Sequence, residues 1–227
     1  EPYHVPPEGE GADYRGYPRT NAKDLAALFL KFHEAGWQIA IHGNGDAAID
    51  DILDAVEAAQ SASPRNDVRT IVIHAQMARD DQLDRMMTLD VTPSFFSLHT
   101  YYWGDRHRDI FMGPERAARM SPAASAVQRN IRFSIHTDTP VVPMEPLRLM
   151  WSAVNRISTS GAVLGEAQRI SPEQALRAVT IDADVKKPTQ VVVLNARDMA
   201  IKTVTAQVGK EKLVPEFAID ATSETLH

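Results

Sequence analysis

The stretch QIAIHGNGD, residues 38–46, is the strongest indication of the fold. Its apolar run ends in His42, and Gly43, Asn44 and Gly45 then lead directly into a helical pattern. Parallel α/β folds present side chains to an active site in this way, with a strand, a loop at its carboxyl end and a helix. We therefore expect a parallel α/β unit that carries His42 at the end of its strand.

Two later segments repeat this arrangement. RTIVIHAQ is a β-branched run that ends in His74, and IRFSIHTDTP ends in His136 and Asp138. Both runs have the composition of buried strands. Each is therefore expected to deliver its polar residues to the same end of a sheet as the first strand.

The spacing of these residues fits a repeated unit. His42 and His74 are 32 positions apart, and His74 and Asp138 are 64 apart, which is twice that interval. An interval of this length suits one strand and one helix, and DVTPSFFS, residues 90–97, supplies the strand that falls between. The sequence thus predicts three metal-type ligands, His42, His74 and Asp138, at one rim.

Composition limits the classes of function. The 227 residues, 44% of them hydrophobic, can form one large domain or one domain with an appendage. A net charge of -6 gives no electrostatic reason to expect nucleic acid or an anionic membrane as a partner. The absence of cysteine excludes disulfides and thiolate metal sites, which leaves eight histidines as candidate ligands.

The two ends of the chain are less regular than its centre. Residues 1–18 are polar and rich in proline and glycine, unlike a signal or transit peptide, so a cytoplasmic location is expected. A chain that begins in such a loop is also expected to be the remainder of something longer. Near the other end, residues 190–194 resemble a short strand, and residues 200–227 show no clear period.

Several helices have readable boundaries. Asn21 is expected to cap a helix that Gly36 stops, and Ser171 opens a capping box with Gln174. Residues 97–116, rich in aromatic side chains, are expected to be a long loop that lines a pocket. Further helices are predicted over residues 46–59, 80–89, 117–129 and 146–156.

Imidazole and carboxylate are the ligands of a catalytic zinc, or a similar divalent ion, when no thiolate is available. His42, His74 and Asp138 are the candidate set, with His136 expected behind them because Asp138 lies nearer the rim. A single histidine at a strand end is more often a structural or pocket residue. The repeated placement favours metal binding without excluding that alternative.

These ligands suggest hydrolysis of a small-molecule substrate. A divalent ion lowers the pKa of a bound water toward about 7 and polarises a carbonyl. Asp138 would accept the proton of the water and pass it to the leaving group. His99, Tyr101 and Trp103 are the candidate substrate-binding residues. No G-x-S-x-G serine motif and no phosphate or dinucleotide loop is present.

Longer motifs resemble one known family. AIHGNGDAAID, IVIHAQ, IHTDTPVVPMEPLRLMWSAVNR and ISPEQALRAVTIDA are similar to amidohydrolase family 3, the YtcJ-like group of the amidohydrolase superfamily, which includes N-substituted formamide deformylases and AepA-like proteins. The resemblance implies a metal-dependent (β/α)8 TIM barrel. His42 would follow strand five, His74 would follow strand six, and Asp138 would be the strand-eight ligand and general base.

The resemblance also implies that the barrel is partial. Residues 1–183 correspond to strands five to eight with their helices, and residues 184–227 form a divergent tail in which VVVLN is interpreted as a remnant of a small β-domain. The family's H-x-H pair on strand one and its strand-four ligand have no counterpart in the chain. Strands five and eight are then expected to be open edges. A homo-oligomer or a missing N-terminal half would close the barrel.

Two functions of different classes remain open at this point. The first is a metal-dependent hydrolase that cleaves a C–N amide or ester bond. The second is a truncated, non-catalytic domain that keeps the fold and lacks the strand-one and strand-four ligands. A regulatory role is a third and weaker reading, because no residue supports it.

Overall fold

The computed structural model describes residues 1–180, 189–194 and 201–206, which form a six-stranded sheet covered by helices. The strands lie in the order β4-β3-β2-β1-β5-β6. Strands β1 to β5 are parallel where they pair, and β6 is antiparallel to β5. The predicted α/β fold with four successive parallel strands of a partial barrel is confirmed. The strands are Gln38–Gly43 (β1), Ile71–His74 (β2), Thr92–Phe95 (β3), Ser134–Ile135 (β4), Thr189–Leu194 (β5) and Ile201–Ala206 (β6).

The helices follow the strands as a barrel requires. The side chain of Asn21 accepts a hydrogen bond from the Asp24 amide at 2.9 Å, and Gly36 ends the first helix with a φ of +84°, as predicted. The capping box of Ser171 and Gln174 is also present. The helices are Ala22–Glu34 (α1), Asp46–Ala62 (α2), Asp80–Thr88 (α3), Leu98–Arg106 (α4), Gly113–Arg119 (α5), Ala123–Gln128 (α6), Pro146–Asn155 (α7) and Pro172–Val179 (α8), with a π-helix at His107–Phe111 and a 3₁₀ turn at Glu166–Gln168.

The register brings the carboxyl ends of the parallel strands to one edge. Gly43 of β1 lies opposite His74 of β2, which in turn lies opposite Phe95 of β3. Phe95 lies opposite Ile135, the last residue of β4. The residues that follow Ile135 therefore emerge beside His74, as the spacing predicted.

One hydrophobic core holds the sheet against its helices. Ile39 and Val72 of the sheet and Phe29 of α1 are completely buried, and Ile49 and Leu53 of α2 pack in the same cluster. Burying a side chain of this size stabilises the fold by roughly 1.5–3 kcal/mol relative to exposure. The helical residues among them, Phe29, Ile49 and Leu53, lie on the predicted apolar stripes, because a period near 3.6 puts them on one face of each helix.

The aromatic segment at residues 97–116 is helical, so its interpretation as a long loop was wrong. Helix α4, the π-helix and α5 occupy it almost continuously. Gly104 inside α4 masks the helical pattern in the sequence, yet a Cβ there would collide with Leu164. The single helix predicted over residues 117–129 is two helices, because the chain turns at Ser121, with a φ of +48°, and at Pro122.

One predicted open edge of the half barrel is covered. Strand β5 pairs in parallel with β1 from Gln38 to Ile41, so the expectation that this edge would be open was wrong. The strand-like run at residues 190–194 is confirmed as part of β5, while β6 lies in the region left without an assignment. The predicted domain boundary at residues 183 and 184 lies outside the described residues. Every described helix is too short or too polar to cross a membrane.

Candidate metal centre

His74 reaches the centre of the site from the last position of β2. Its side chain is buried, with 3% of its surface exposed, and its backbone is left-handed with a φ of +71°. A non-glycine residue adopts this conformation at a cost, and such strain often occurs at functional sites. Its imidazole lies in contact range of the rings of His42, His99 and His136, at centroid distances of 4.6, 5.5 and 4.9 Å.

His136 and Asp138 arrive from the end of β4. The amide of His136 donates to the carbonyl of Phe95 at 3.0 Å, which extends the pairing of β3 and β4 by one residue. The chain then leaves the sheet, and Asp138 adopts a left-handed φ of +54° while its carbonyl accepts from the Val141 amide at 2.8 Å. This turn directs the Asp138 carboxylate back toward His74.

Three side chains have the spacing of a metal site. One ligand atom each from His74, His136 and Asp138 lies within 4.8 Å of the other two, and Nε2 of His74 is 4.0 Å from Oδ2 of Asp138. Zinc bonds of about 2.0–2.2 Å in a tetrahedron separate ligand atoms by about 3.3–3.5 Å. Shifts on the order of 1 Å would bring the three atoms to that separation, so the donor set fits a divalent ion.

Hydrogen bonding around His136 also fits a ligand. Its Nδ1 is 3.0 Å from Oγ of Ser94, and the hydroxyl of Ser134 donates to the same Oγ at 2.8 Å. We assign the ring proton to Nδ1, donating to Ser94, because this tautomer leaves the lone pair of Nε2 directed at the site. Nε2 is buried and has no hydrogen-bond partner among the described residues, as expected for an atom that binds a cation.

Burial keeps these imidazoles in the form that binds metals. Burial, assisted by His136 and His42, lowers the pKa of His74 to about 3. Burial also lowers the pKa of His136 to about 4, although Asp138 acts in the opposite direction. Both rings are therefore neutral at pH 7, and a neutral imidazole is the ligand form.

His42 stands beside this group. It is half-buried near the end of β1, and its ring is 4.6 Å from that of His74. The three atoms with metal spacing come instead from His74, His136 and Asp138. His136, which sequence reasoning placed behind the metal, is thus brought into the group, and the role of His42 as a ligand stays a prediction.

The candidate substrate-binding residues separate into two places. His99 lies in the site, with its ring 5.5 Å from that of His74, and Trp103 packs on His99 at 5.9 Å. Tyr101 faces α7, where its ring lies 5.6 Å from that of Trp151. The helical form of the segment explains the separation, since neighbouring residues of a helix point in different directions.

Two further polar residues, His107 and Gln76, lie at the site. His107, in the π-helix, lies with its ring 6.1 Å from His99 and its Nε2 3.0 Å from the side-chain amide of Gln76. Burial lowers the pKa of His107 to about 4, so this ring is also neutral at pH 7. The position of Gln76, two residues after His74, was the one available indication of its role.

A cavity adjoins the site on the side of His42. Its volume is about 460 Å³, and it opens between α1, α2 and the end of β1. Leu25, Leu28 and Ile52 form apolar walls, and Arg15 lies along its lining. The cavity has the size and mixed character of a small-molecule site.

The fold and the site define a class of protein. A parallel α/β half barrel with two histidines and an aspartate of metal spacing at its carboxyl rim has the architecture of metal-dependent hydrolases. A family model described as "Amidohydrolase family" (Amidohydro_3) matches residues 1–184. The chain belongs to this family.

Individual relatives agree with that assignment. N-substituted formamide deformylase of Arthrobacter pascens is 30% identical over 172 residues, which are 76% of this chain and 31% of that protein. The amidohydrolase-type protein YtcJ of Bacillus subtilis (strain 168) is 26% identical over 187 residues, 79% of this chain and 33% of that protein. A crystal structure of an uncharacterized metal-dependent hydrolase from Pyrococcus furiosus aligns with a TM-score of 0.61 and 27% identity, over 78% of this chain and 34% of that one. The chain thus spans about a third of the length of the relatives it matches.

Proposed function

We propose that the protein is a metal-dependent hydrolase that cleaves a C–N amide or ester bond of a small molecule. The observation that carries this proposal is the meeting of His74, His136 and Asp138, whose ligand atoms lie within 4.8 Å of one another. Membership of the amidohydrolase family supports the reaction class. Zinc is the proposed ion, because neutral imidazole and carboxylate suit it.

A divalent ion, when bound, would supply an activated water and polarise the carbonyl under attack. His74 and His136 would hold the ion as neutral ligands, and Ser94 orients the ring of His136. Asp138, whose side chain is 38% exposed, can reach the open side of the site. It accepts a proton from the attacking water and transfers it to the leaving nitrogen or oxygen.

The walls of the site suggest the kind of substrate. Trp103 packs edge-on against His99 at a centroid distance of 5.9 Å, and Phe96, buried in the core, supports the His99 ring from behind at 4.6 Å. Such a wall suits a flat or apolar substituent next to the reacting carbonyl. An N-substituted amide has this form, and the name of the Arthrobacter pascens relative supports the choice.

The proposed partners follow from charge and fold. The net charge of -6 favours a small molecule over nucleic acid or an anionic membrane. The outer edge of β4 has no strand partner among the described residues, so a second copy or an N-terminal barrel half is proposed to complete the ring at that side.

Metal analysis combined with hydrolysis assays tests this function. Purified protein is assayed on N-substituted formamides and on esters, before and after chelation and after zinc is restored. We expect activity that is lost on chelation and recovered with zinc. Metal-loaded protein without hydrolysis of either class would support the non-catalytic alternative. Equal hydrolysis by wild type and Asp138→Ala would refute the proposed mechanism.

A further inference from the structure

The turn that follows β2 is strained next to the candidate metal centre. His74 and Ala75 are both left-handed, with φ angles of +71° and +44°. Each L-residue pays about 1–2 kcal/mol for this conformation. Two such residues in succession persist only where surrounding contacts hold them. The Met77 amide donates to the Asn44 carbonyl at 3.0 Å and the Ala78 amide to the Ala75 carbonyl at 3.2 Å, and further contacts come from the next residue, Gln76.

Gln76 connects the turn to two neighbouring elements: its backbone bonds to the bend between α5 and α6, and its side chain bonds to the π-helix. Its carbonyl accepts from the Ser121 amide at 2.7 Å, and its side-chain amide donates to Nε2 of His107 at 3.0 Å. The same amide nitrogen lies 3.7 Å from Sδ of Met120. Gln76 is 4% exposed, so these bonds form in a buried environment where an unpaired amide is costly.

The partners of Gln76 are themselves fixed. The buried guanidinium of Arg156 donates to the carbonyls of Met120 and Ser121 at 2.8 and 3.3 Å. These bonds anchor the bend between α5 and α6 against the end of α7. The turn after β2 is therefore bonded to a bend that Arg156 itself fixes in place.

We propose that Gln76 is a positioning residue that holds the left-handed turn at His74 and Ala75 and so directs the His74 imidazole at the position shared with His136 and Asp138. This inference rests on the proposed metal-dependent function and adds a residue outside the ligand set. Gln76 acts through the backbone of His74 and through His107, which packs on His99.

Cobalt binding to the full chain tests the proposal, because the visible absorption of Co²⁺ reports the geometry of its ligands. Gln76→Met conserves volume and removes the two amide contacts. Gln82→Met is the matched control, since Gln82 is completely buried and donates to the carbonyl of Asp46 at 2.6 Å, on the helical layer. We expect Gln76→Met to bind Co²⁺ about 10-fold more weakly with an altered spectrum, and Gln82→Met to match wild type.

A second substitution separates positioning from simple packing. Glycine adopts a positive φ without steric cost, so Ala75→Gly should make the turn independent of Gln76. We expect Ala75→Gly to restore most of the Co²⁺ affinity in the Gln76→Met background. Should Gln76→Met not fold, His107→Phe removes the acceptor of the Gln76 amide and is expected to weaken Co²⁺ binding in the same direction.

The outcomes distinguish this inference from the proposed function. Wild type that binds no Co²⁺ would overturn both. Wild-type binding with unchanged affinity in Gln76→Met would overturn the role of Gln76 alone, as would an equal loss in Gln82→Met or a failure of Ala75→Gly to restore binding.

Discussion

The strand ends and the helical segment bring histidines to one place by different means. His74 and His136 lie at the ends of short parallel strands, where the register of the sheet sets their positions. His99 and His107 lie on α4 and the π-helix, which no strand register controls. The bend that follows this segment is held by buried hydrogen bonds from Arg156 to the carbonyls of Ala118, Met120 and Ser121. The register of the sheet therefore sets the positions of the candidate metal ligands, whereas tertiary contacts set the positions of the helical residues around them.

The largest effect is expected at a strand end. Asp138→Asn removes the proposed base and weakens the ligand set, so we expect hydrolysis to fall about 10³-fold. Steady-state kinetics on an N-substituted formamide measure the change. Asp54→Asn is the control, because Asp54 is an exposed residue of α2 that pairs with Arg85 and should leave the rate unchanged. A similar loss in both variants would remove Asp138 from the mechanism.

The next largest effect is expected on the free energy of unfolding, at the buried Arg156. Arg156 is 2% exposed, and its guanidinium donates to the carbonyls of Leu164, Met120, Ser121 and Ala118. Burial lowers its pKa to about 10, so it stays charged at pH 7. Arg156→Met leaves several buried carbonyls unpaired, and we expect the free energy of unfolding to fall by about 3 kcal/mol.

Urea denaturation measures this loss. Arg148→Met is the control from the same helix, because Arg148 is 43% exposed and pairs with Glu145 on the surface. Its removal should cost less than about 1 kcal/mol. Equal losses in Arg148→Met and Arg156→Met would show that the bend at residues 118–121 does not depend on its hydrogen bonds to Arg156.

The residues at the strand ends were largely predictable from the sequence, whereas the helices that surround them, at residues 98–119, were not. A β-branched run that ends in histidine is a local pattern, so the places of His74 and Asp138 at the rim followed from spacing. The helices at residues 98–119 did not, because Gly104 and the glycine at α5 break the local signal and tertiary packing overrides it. The pairing of β5 with β1 was also missed, because a sequence does not reveal which strand covers an edge.

Acidity should lower the stability of the whole histidine cluster. Burial lowers the pKa of His74 to about 3 and those of His107 and His136 to about 4. An unfolded histidine titrates near 6.5, so between that pH and about 4 the unfolded chain binds more protons, and stability falls as pH falls. One such histidine costs about 2 kcal/mol between pH 7 and 5.

Because three rings titrate in this way, we expect a loss of at least about 2 kcal/mol in chelator, measured from urea transitions at pH 7 and pH 5. His107→Phe removes one of the titrating rings from the helical segment and should reduce the pH dependence. A transition that does not change between the two pH values would contradict the neutral, buried state of the cluster.

The smallest effect is expected at a feature that the sequence alone identified. Ser171→Ala removes the side-chain oxygen that accepts from the Gln174 amide at 3.1 Å at the start of α8. Loss of such a cap costs about 1 kcal/mol, which urea denaturation can resolve. Ser171→Thr keeps the hydroxyl and should retain most of the stability. A loss as large as that of Arg156→Met would reverse the ranking of local and tertiary contacts.

A calorimetric titration of zinc into wild type and into His74→Ala tests the central claim most directly. If strand ends β2 and β4 build one cation site, wild type binds one zinc ion per chain and His74→Ala binds it at least about 100-fold more weakly. Zinc binding of equal strength in the two proteins would contradict the claim.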